Sequence, residues 1–189
     1  KEVAGVLERE MIRTGTTSTT MLDDIARFSE ELHKTTGVPL RSISANAIKI
    51  RLDTQRLGDV TAEEATRMAA STGQLGQTYD SLTGAMDKFQ EFGSAAETAG
   101  LISQITGGAV NLDAQELMYL ASQEQDKFLP FLREAFLAGN FDKEAFLEIS
   151  KAEQRQLMAA IGQDRESFQS LIDRTRQFDP AQIDAALET

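Results

Sequence analysis

The side chains with chemical potential are few, and their spacing does not assemble them. His33 is the single histidine and there is no cysteine. That leaves no His-rich or thiolate-ligated metal site, no thiolate nucleophile and no convincing Ser-His-Asp arrangement. His33 reads as a surface residue near a helix end, where a partial positive charge suits the dipole. Asn140 and Asp142 alternate in a helix-loop-helix stretch from Phe131 to Leu147 that superficially suits calcium. A calcium loop, however, needs oxygen ligands at alternating positions and a bidentate Glu at the twelfth, and no Asp-x-Asp-x-Asp-Gly run is present. Gly139 closing one helix and Asp142 capping the next is the plainer account. Thr106-Gly107-Gly108 offers backbone N–H groups to a phosphate but lacks the Gly-Lys-Ser/Thr and the preceding strand of a P-loop, so it reads as a helix cap. The adjacent acids Asp23 and Asp24, Glu30 and Glu31, and Glu63 and Glu64 fall on exposed helix faces that suit solvation and give no sign of a raised pKa. No catalytic residue, metal or cofactor is expected, and the chain reads as a non-enzyme.

Composition points the same way. With 189 residues and 41% hydrophobic content, the chain has enough apolar surface for one ordinary domain or two small ones. Ten Phe and two Tyr with no Trp leave a core of Leu, Ile, Ala, Met and Phe, the usual filling of helical packing. The net charge of −11 repels a polyanion on average, which argues against sequence-specific nucleic-acid binding. The nearest thing to a basic patch is Lys49, Arg51 and Arg56 on one predicted helix, read as a solvated face. The absence of cysteine is compatible with assembly in a reducing cytoplasm. The longest apolar runs fall far short of the roughly 18 residues that span a bilayer. The chain opens on Lys1 with neither Met nor a signal-like segment, and reads as an excerpt of a longer polypeptide.

The elements that would position any site are helices, and their starts are legible. Thr61 with Glu64, Ser94 with Glu97, Asp113 with Glu116, Ser122 with Gln125 and Ser150 with Glu153 each have the spacing by which two side chains satisfy each other's exposed backbone N–H groups. Asp179-Pro180 adds a capped start with proline in the first turn. Gly37, Gly58, Gly93, Gly107 with Gly108, Gly139 and Gly162 fall just past periodic segments, where positive φ closes a last turn. Between these marks the pattern predicts helices at about 2–13, 20–35, 40–56, 62–72, 79–91, 95–106, 114–121, 123–138, 143–149, 151–161, 165–176 and 180–187. No strand is predicted.

The fold class is therefore all-α: many short capped helices in an irregular bundle with a separable N-terminal helical arm. The run from Thr14 to Thr20 has a linker composition, which gives an arm and linker over 1–18, a helical segment over 19–92 and a helical module over 93–189, with a softer joint near Gly93. Leu117, Leu120, Phe128, Phe131, Leu132, Phe136 and Leu137, then Phe141, Phe146, Leu147, Leu157, Ile161, Phe168 and Leu171, recur at helical intervals and read as core. The leaner helices 20–35 and 40–56 have fewer partners in prospect and are expected to place apolar residues at contacts between chains.

The string from Phe89 to Gly108, followed by Asn111-Leu-Asp-Ala-Gln-Glu-Leu-Met, resembles a stretch of the tape measure proteins of tailed bacteriophages. Phe131-Leu-Arg-Glu-Ala-Phe, Phe141-Asp and the run from Ser150 to Gly162 follow in the same order, and Thr36-Gly-Val-Pro-Leu, Thr61-Ala-Glu-Glu-Ala and Leu75-Gly look similar upstream. The resemblance covers roughly residues 35–175 and consists of helix-turn pattern and favoured residues, with no catalytic signature. It implies a virion protein in the lumen of the tail, assembled in the host cytoplasm. Such a protein sets tail length, contacts tail tube and baseplate-hub proteins, surrounds the tail axis in several copies and leaves ahead of the genome. A ruler should be long unbroken helix with sustained heptads. Helices that break every ten to sixteen residues point to a docking module instead, and the negative charge would let DNA pass. Some members of that family carry a separate peptidoglycan-cleaving domain, for which this stretch offers no cleft carboxylate or metal set. The competing reading is an intracellular adaptor or regulatory module that holds a partner helix in a groove lined by Phe128, Phe131 and Phe136.

Overall fold

The computed structural model describes residues 18–188. Among them are twelve α-helices and no strand, where the cap pattern predicts eleven helices and no strand over the same range. The helix expected at 2–13 and most of the N-terminal arm lie outside the described residues. The linker expected up to Thr20 is already helical from Ser18. The described residues divide into two units, one built from residues 18–74 together with 178–188, the other from Leu75 to Gln177. The softer joint expected near Gly93 thus falls inside the second unit, and the last helix belongs to the first.

Unit 1 is arranged around helix α4 (Ala62–Gln74), against which α1 (Ser18–Thr36), α2 (Leu40–Leu52) and α12 (Pro180–Leu187) all pack. A helix surrounded in this way needs small side chains. In α4, Ala65, Thr66, Met68, Ala69, Ala70, Ser71, Thr72 and Gln74 are buried, and Thr66 satisfies its hydroxyl by donating to Ala62 O at 2.6 Å. At Gly73 a Cβ would lie 2.5 Å from Val38 Cγ1, so the absence of a side chain lets the α1–α2 turn approach. Helix α1 presents Met21, Ile25, Ser29 and Leu32 inward at four- and three-residue steps, and α2 presents Ile43, Asn46, Ala47 and Ile50. These two helices therefore have more partners inside the chain than their lean apolar content suggests, while Leu22 and Leu40 on them stay exposed. The sequence did not show that α12 returns to help cover them.

The single helix expected at 40–56 is broken. Asp53 leaves the helical region at φ −87°, ψ 63°, and its carboxylate accepts from the Arg56 N–H at 3.3 Å, starting the one-turn α3 (Thr54–Leu57).

Unit 2 holds α5 (Tyr79–Met86), α6 (Phe92–Ile105), α7 (Ala114–Gln123), α8 (Gln125–Ala138), α9 (Lys143–Glu148), α10 (Lys151–Ile161) and α11 (Arg165–Leu171). Helix α6 packs on α7 and α10, α7 on α8, α5 on α8 and α9 on α11. Its core is aromatic. Phe89 meets Phe128 at 5.5 Å between centroids, and Phe136, Phe168 and Phe146 form a chain of edge-to-face contacts at 5.4 and 5.1 Å.

Several caps match the sequence, and several do not. Thr61 with Glu64 and Ser150 with Glu153 form reciprocal capping boxes, while Asp113, Asp142 and Asp179 accept from first-turn N–H groups. Ser94 is already inside α6 and donates to Lys88 O at 2.8 Å. Ser122 lies inside α7 and donates to Met118 O at 2.8 Å. Gly93 is helical, and Gly139 has φ −77°. The left-handed residue that ends α8 is Asn140, at φ 54°. Phe141 N–H donates to Phe136 O and Asn140 N–H to Leu137 O, a Schellman closure completed by the Phe136–Phe141 ring contact at 5.9 Å. Gly139 is needed for closeness: a Cβ there would sit 2.3 Å from Ala109 O.

Candidate contact surface

His33, the Thr106-Gly107-Gly108 stretch, Asn140 and Asp142 are each occupied with local structure. His33 is exposed on the last turn of α1, its Nδ1 2.8 Å from Val38 O. Thr106 donates to Ile102 O at 2.8 Å, and Gly107 and Gly108 follow at positive φ, so this stretch is a helix end. Asn140 Oδ1 and Asp142 Oδ2 both accept from Arg174, at 3.1 and 2.8 Å, while Asp142 Oδ1 caps α9 through the Ala145 N–H. Those oxygens hold a guanidinium. Among the described residues no group of three or more His, Asp or Glu side chains is placed to hold a metal ion.

The acids that titrate abnormally do so in the direction of the anion. Hydrogen bonds from Thr61 hold Glu64 below the usual carboxylate range, Ser150 does the same for Glu153, and the Ser167 N–H does it for Asp164. Arg174 lowers Asp142, and Thr175 lowers Asp173. A general acid near neutrality needs the opposite shift. Glu30 pairs with Lys34 at 3.0 Å and Asp24 with Arg27 at 3.6 Å on well-exposed surface, and Glu63 pairs with Arg67 at 3.2 Å where both side chains are half-buried.

The basic trio does not form a face. Lys49 and Arg51 are on α2, with Arg51 buried and 3.5 Å from Asp59, whereas Arg56 stands on α3 and lies 3.7 Å from Asp53.

The expected groove of Phe128, Phe131 and Phe136 is corrected by burial. Phe128 and Phe136 are 0% exposed, Phe128 against Phe89 and Phe136 between Phe141 and Phe168; only Phe131 is half-buried. The spacing that made them a groove makes them the core of unit 2. Among the described residues the large apolar side chains left exposed are others: Leu22 and Leu40 on unit 1, and Phe92, Tyr119 and Leu147 on unit 2, the last three about half exposed, so Leu147 stays out of the core that its spacing predicts. Phe92 lies within the Phe89–Met118 stretch that carries the phage resemblance, and Tyr119 just past it. Tyr119 breaks the apolar period set by Leu117 and Leu120, the signal by which it could have been found, whereas Phe92 keeps step with Ala95, Ala99 and Ile102 and gave none.

The polar side chains that organise unit 2 carried no such signal. Arg133 is buried and donates to Leu171 O at 2.6 Å and to Arg176 O at 3.1 Å, and burial lowers its pKa. Gln77 donates to Ser167 O at 2.6 Å and accepts from Gln163 Nε2 at 2.7 Å, all three residues being buried. Each tie joins residues 38 to 90 positions apart.

Comparison with protein-family models, curated proteins and solved structures gives no match. Among the described residues no helix is long and apolar enough to cross a membrane.

Proposed function

We propose that the chain is a segment of a phage tail tape measure protein. In this reading it is a structural module inside the tail that docks on tail tube or baseplate-hub proteins and serves assembly, length determination and genome ejection. It acts by contact and has no catalytic role. The observation that carries the proposal is the run from Phe89 to Met118. The residues that bear the resemblance make a buried Phe89, helix α6, the Thr106-Gly107-Gly108 end and helix α7, and this hairpin leaves Phe92 and Tyr119 exposed. The longest described helix has 19 residues, about 28 Å at 1.5 Å per residue, and is followed at once by the Gly37 turn. That geometry supports a folded docking module over the ruler.

The adaptor reading relied on a Phe128, Phe131 and Phe136 groove, and two of those rings are sealed in the core. The decisive experiment is a density map of the intact particle, in which the segment should lie on the tail axis next to tube or hub subunits. A short free-standing parent reading frame, or a parent without flanking apolar heptads, would overturn the assignment. Release of muropeptides from purified sacculi by the segment would overturn the non-catalytic part.

A further inference from the structure

The last helix is held differently from the helices it packs on. Up to Arg176 the chain is tied into unit 2. Arg133 binds the carbonyls of Leu171 and Arg176, and Arg174 binds Leu137 O at 3.0 Å as well as Asn140 and Asp142. Beyond that anchor the chain runs through Gln177 and Phe178 to α12, which packs on α1 and α4. Of the eight residues of α12 only Ile183 is buried, with Ala186 and Leu187 half covered on the same face, three and four positions on. Two of its polar ties are long. The Asp179 N–H reaches Gln74 Oε1 at 3.4 Å, and Arg67 Nε lies 3.3 Å from Asp184 Oδ1 without hydrogen-bond geometry, although that nitrogen is buried. By contrast α1 buries Met21, Ile25 and Leu32, and α2 buries Ile43, Ala47 and Ile50. Helix α12 therefore has less to lose on opening than α1, α2 or α4.

An opened α12 uncovers the place on α1 and α4 that it fits, and every other copy of the chain carries a segment that fits the same place. We propose that α12 is an exchangeable strap. The arm beginning at Gln177 leaves its own unit 1 and docks on α1 and α4 of a second copy, giving a reciprocal two-fold dimer that remakes the contacts of the closed chain. Closed and swapped forms share Ile183, Arg67–Asp184 and Gln74–Asp179, so concentration and the hinge at residues 177–178 set the balance between them. The exchange is independent of the tape-measure reading.

The test uses the absence of native cysteine. Two full-length variants, Arg67→Cys and Asp184→Cys, are incubated together at high concentration and treated with a short bismaleimide. A covalent heterodimer joining position 67 of one copy to position 184 of the other is expected, and its yield should fall at least tenfold when Ile183→Asp is added to both chains. Absence of the heterodimer, or a yield unchanged by Ile183→Asp, overturns the proposal. Hydrogen exchange on the unmodified chain keeps the test decisive if Ile183→Asp disturbs unit 1. The amides of α12 should exchange at least tenfold faster than those of α4, and equal rates would overturn the strap. Binding of an unrelated amphipathic peptide at the same place, with no exchange between copies, also counts against it.

Discussion

Gly84 and Gly162 stand back to back in unit 2: a Cβ on Gly84 would lie 2.6 Å from Gly162 O, and one on Gly162 would lie 2.1 Å from Gly84 O. The obstacle on each side is backbone, which cannot turn aside as a side chain would. Gly162 also closes α10 at φ 74°, where a side chain is strained whatever the space. Gly162→Ala should therefore cost about 2–4 kcal/mol and Gly84→Ala about 1–3 kcal/mol. Gly107→Ala, at φ 63° with nothing within 4 Å of the added carbon, should cost only about 1 kcal/mol. Urea unfolding of the three variants measures the order, and a Gly107 variant as damaged as Gly162 would refute the close approach.

Arg133 ends a helix from across unit 2. Its fork takes the Leu171 carbonyl at the end of α11 and the Arg176 carbonyl beyond it, so both are satisfied inside the protein. Arg133→Met keeps most of the volume but strands the two acceptors, which should cost about 2–3 kcal/mol. Arg133→Lys should recover less than half of that loss, because an ammonium does not present two N–H groups in a fixed fork. The denaturation midpoints of the two variants decide between a hydrogen-bonding and a packing role.

What the sequence showed was local, and what it hid was long-range. Residues 151–161 and 180–187 are helical to the residue, because Ser150 with Glu153 and Asp179 with Pro180 act within one turn. The helix predicted at 165–176 stops at Leu171. Arg133 takes its last carbonyl, and Asp173 Oδ1 accepts from Thr175 N–H at 2.9 Å to start a turn, the first of which no local pattern reveals. Likewise the apolar period found Phe128 and Phe136, but periodicity marks a face without saying what covers it, so core residues read as a groove. The covers, Phe89 and Phe168, lie 39 and 32 positions away.

Acid should loosen the caps, and the sign follows from the direction of the shifts. Glu64 and Glu153 sit below the ordinary 4.5, and Asp142, Asp164 and Asp173 below the ordinary 3.8. The folded chain thus holds these groups as anions more firmly than the unfolded chain does. Their stabilisation is complete above the ordinary values and is lost as pH falls through the lowered ones. Easing of the net charge of −11 acts in the opposite sense, so a single profile mixes the two. Glu153→Ala separates them: the stability gap between it and the parent should be constant above pH 5 and shrink toward zero as the pH falls well below 4.5. A gap that persists in strong acid would mean that Glu153 acts by something other than its charge.

Three serines with the same spacing to a following Glu or Gln should respond differently to the same substitution. Ser150 Oγ accepts from the Glu153 N–H at 3.2 Å, and Glu153 Oε2 accepts from the Ser150 N–H at 2.9 Å, so both exposed donors at the start of α10 are satisfied. Ser150→Ala removes one bond and frees the partner of the other, and should cost about 1 kcal/mol. Ser94 and Ser122 instead sit inside helices, their hydroxyls donating to Lys88 O and Met118 O, and the N–H groups at those helix starts do not depend on them. Ser94→Ala and Ser122→Ala should therefore stay within about 0.5 kcal/mol of the parent, helped by the better helix propensity of alanine. Thermal unfolding of the three variants measures where α6 and α8 begin. A loss at Ser122 equal to that at Ser150 would put the start of α8 at Ser122 and its capping residue two positions before Glu124.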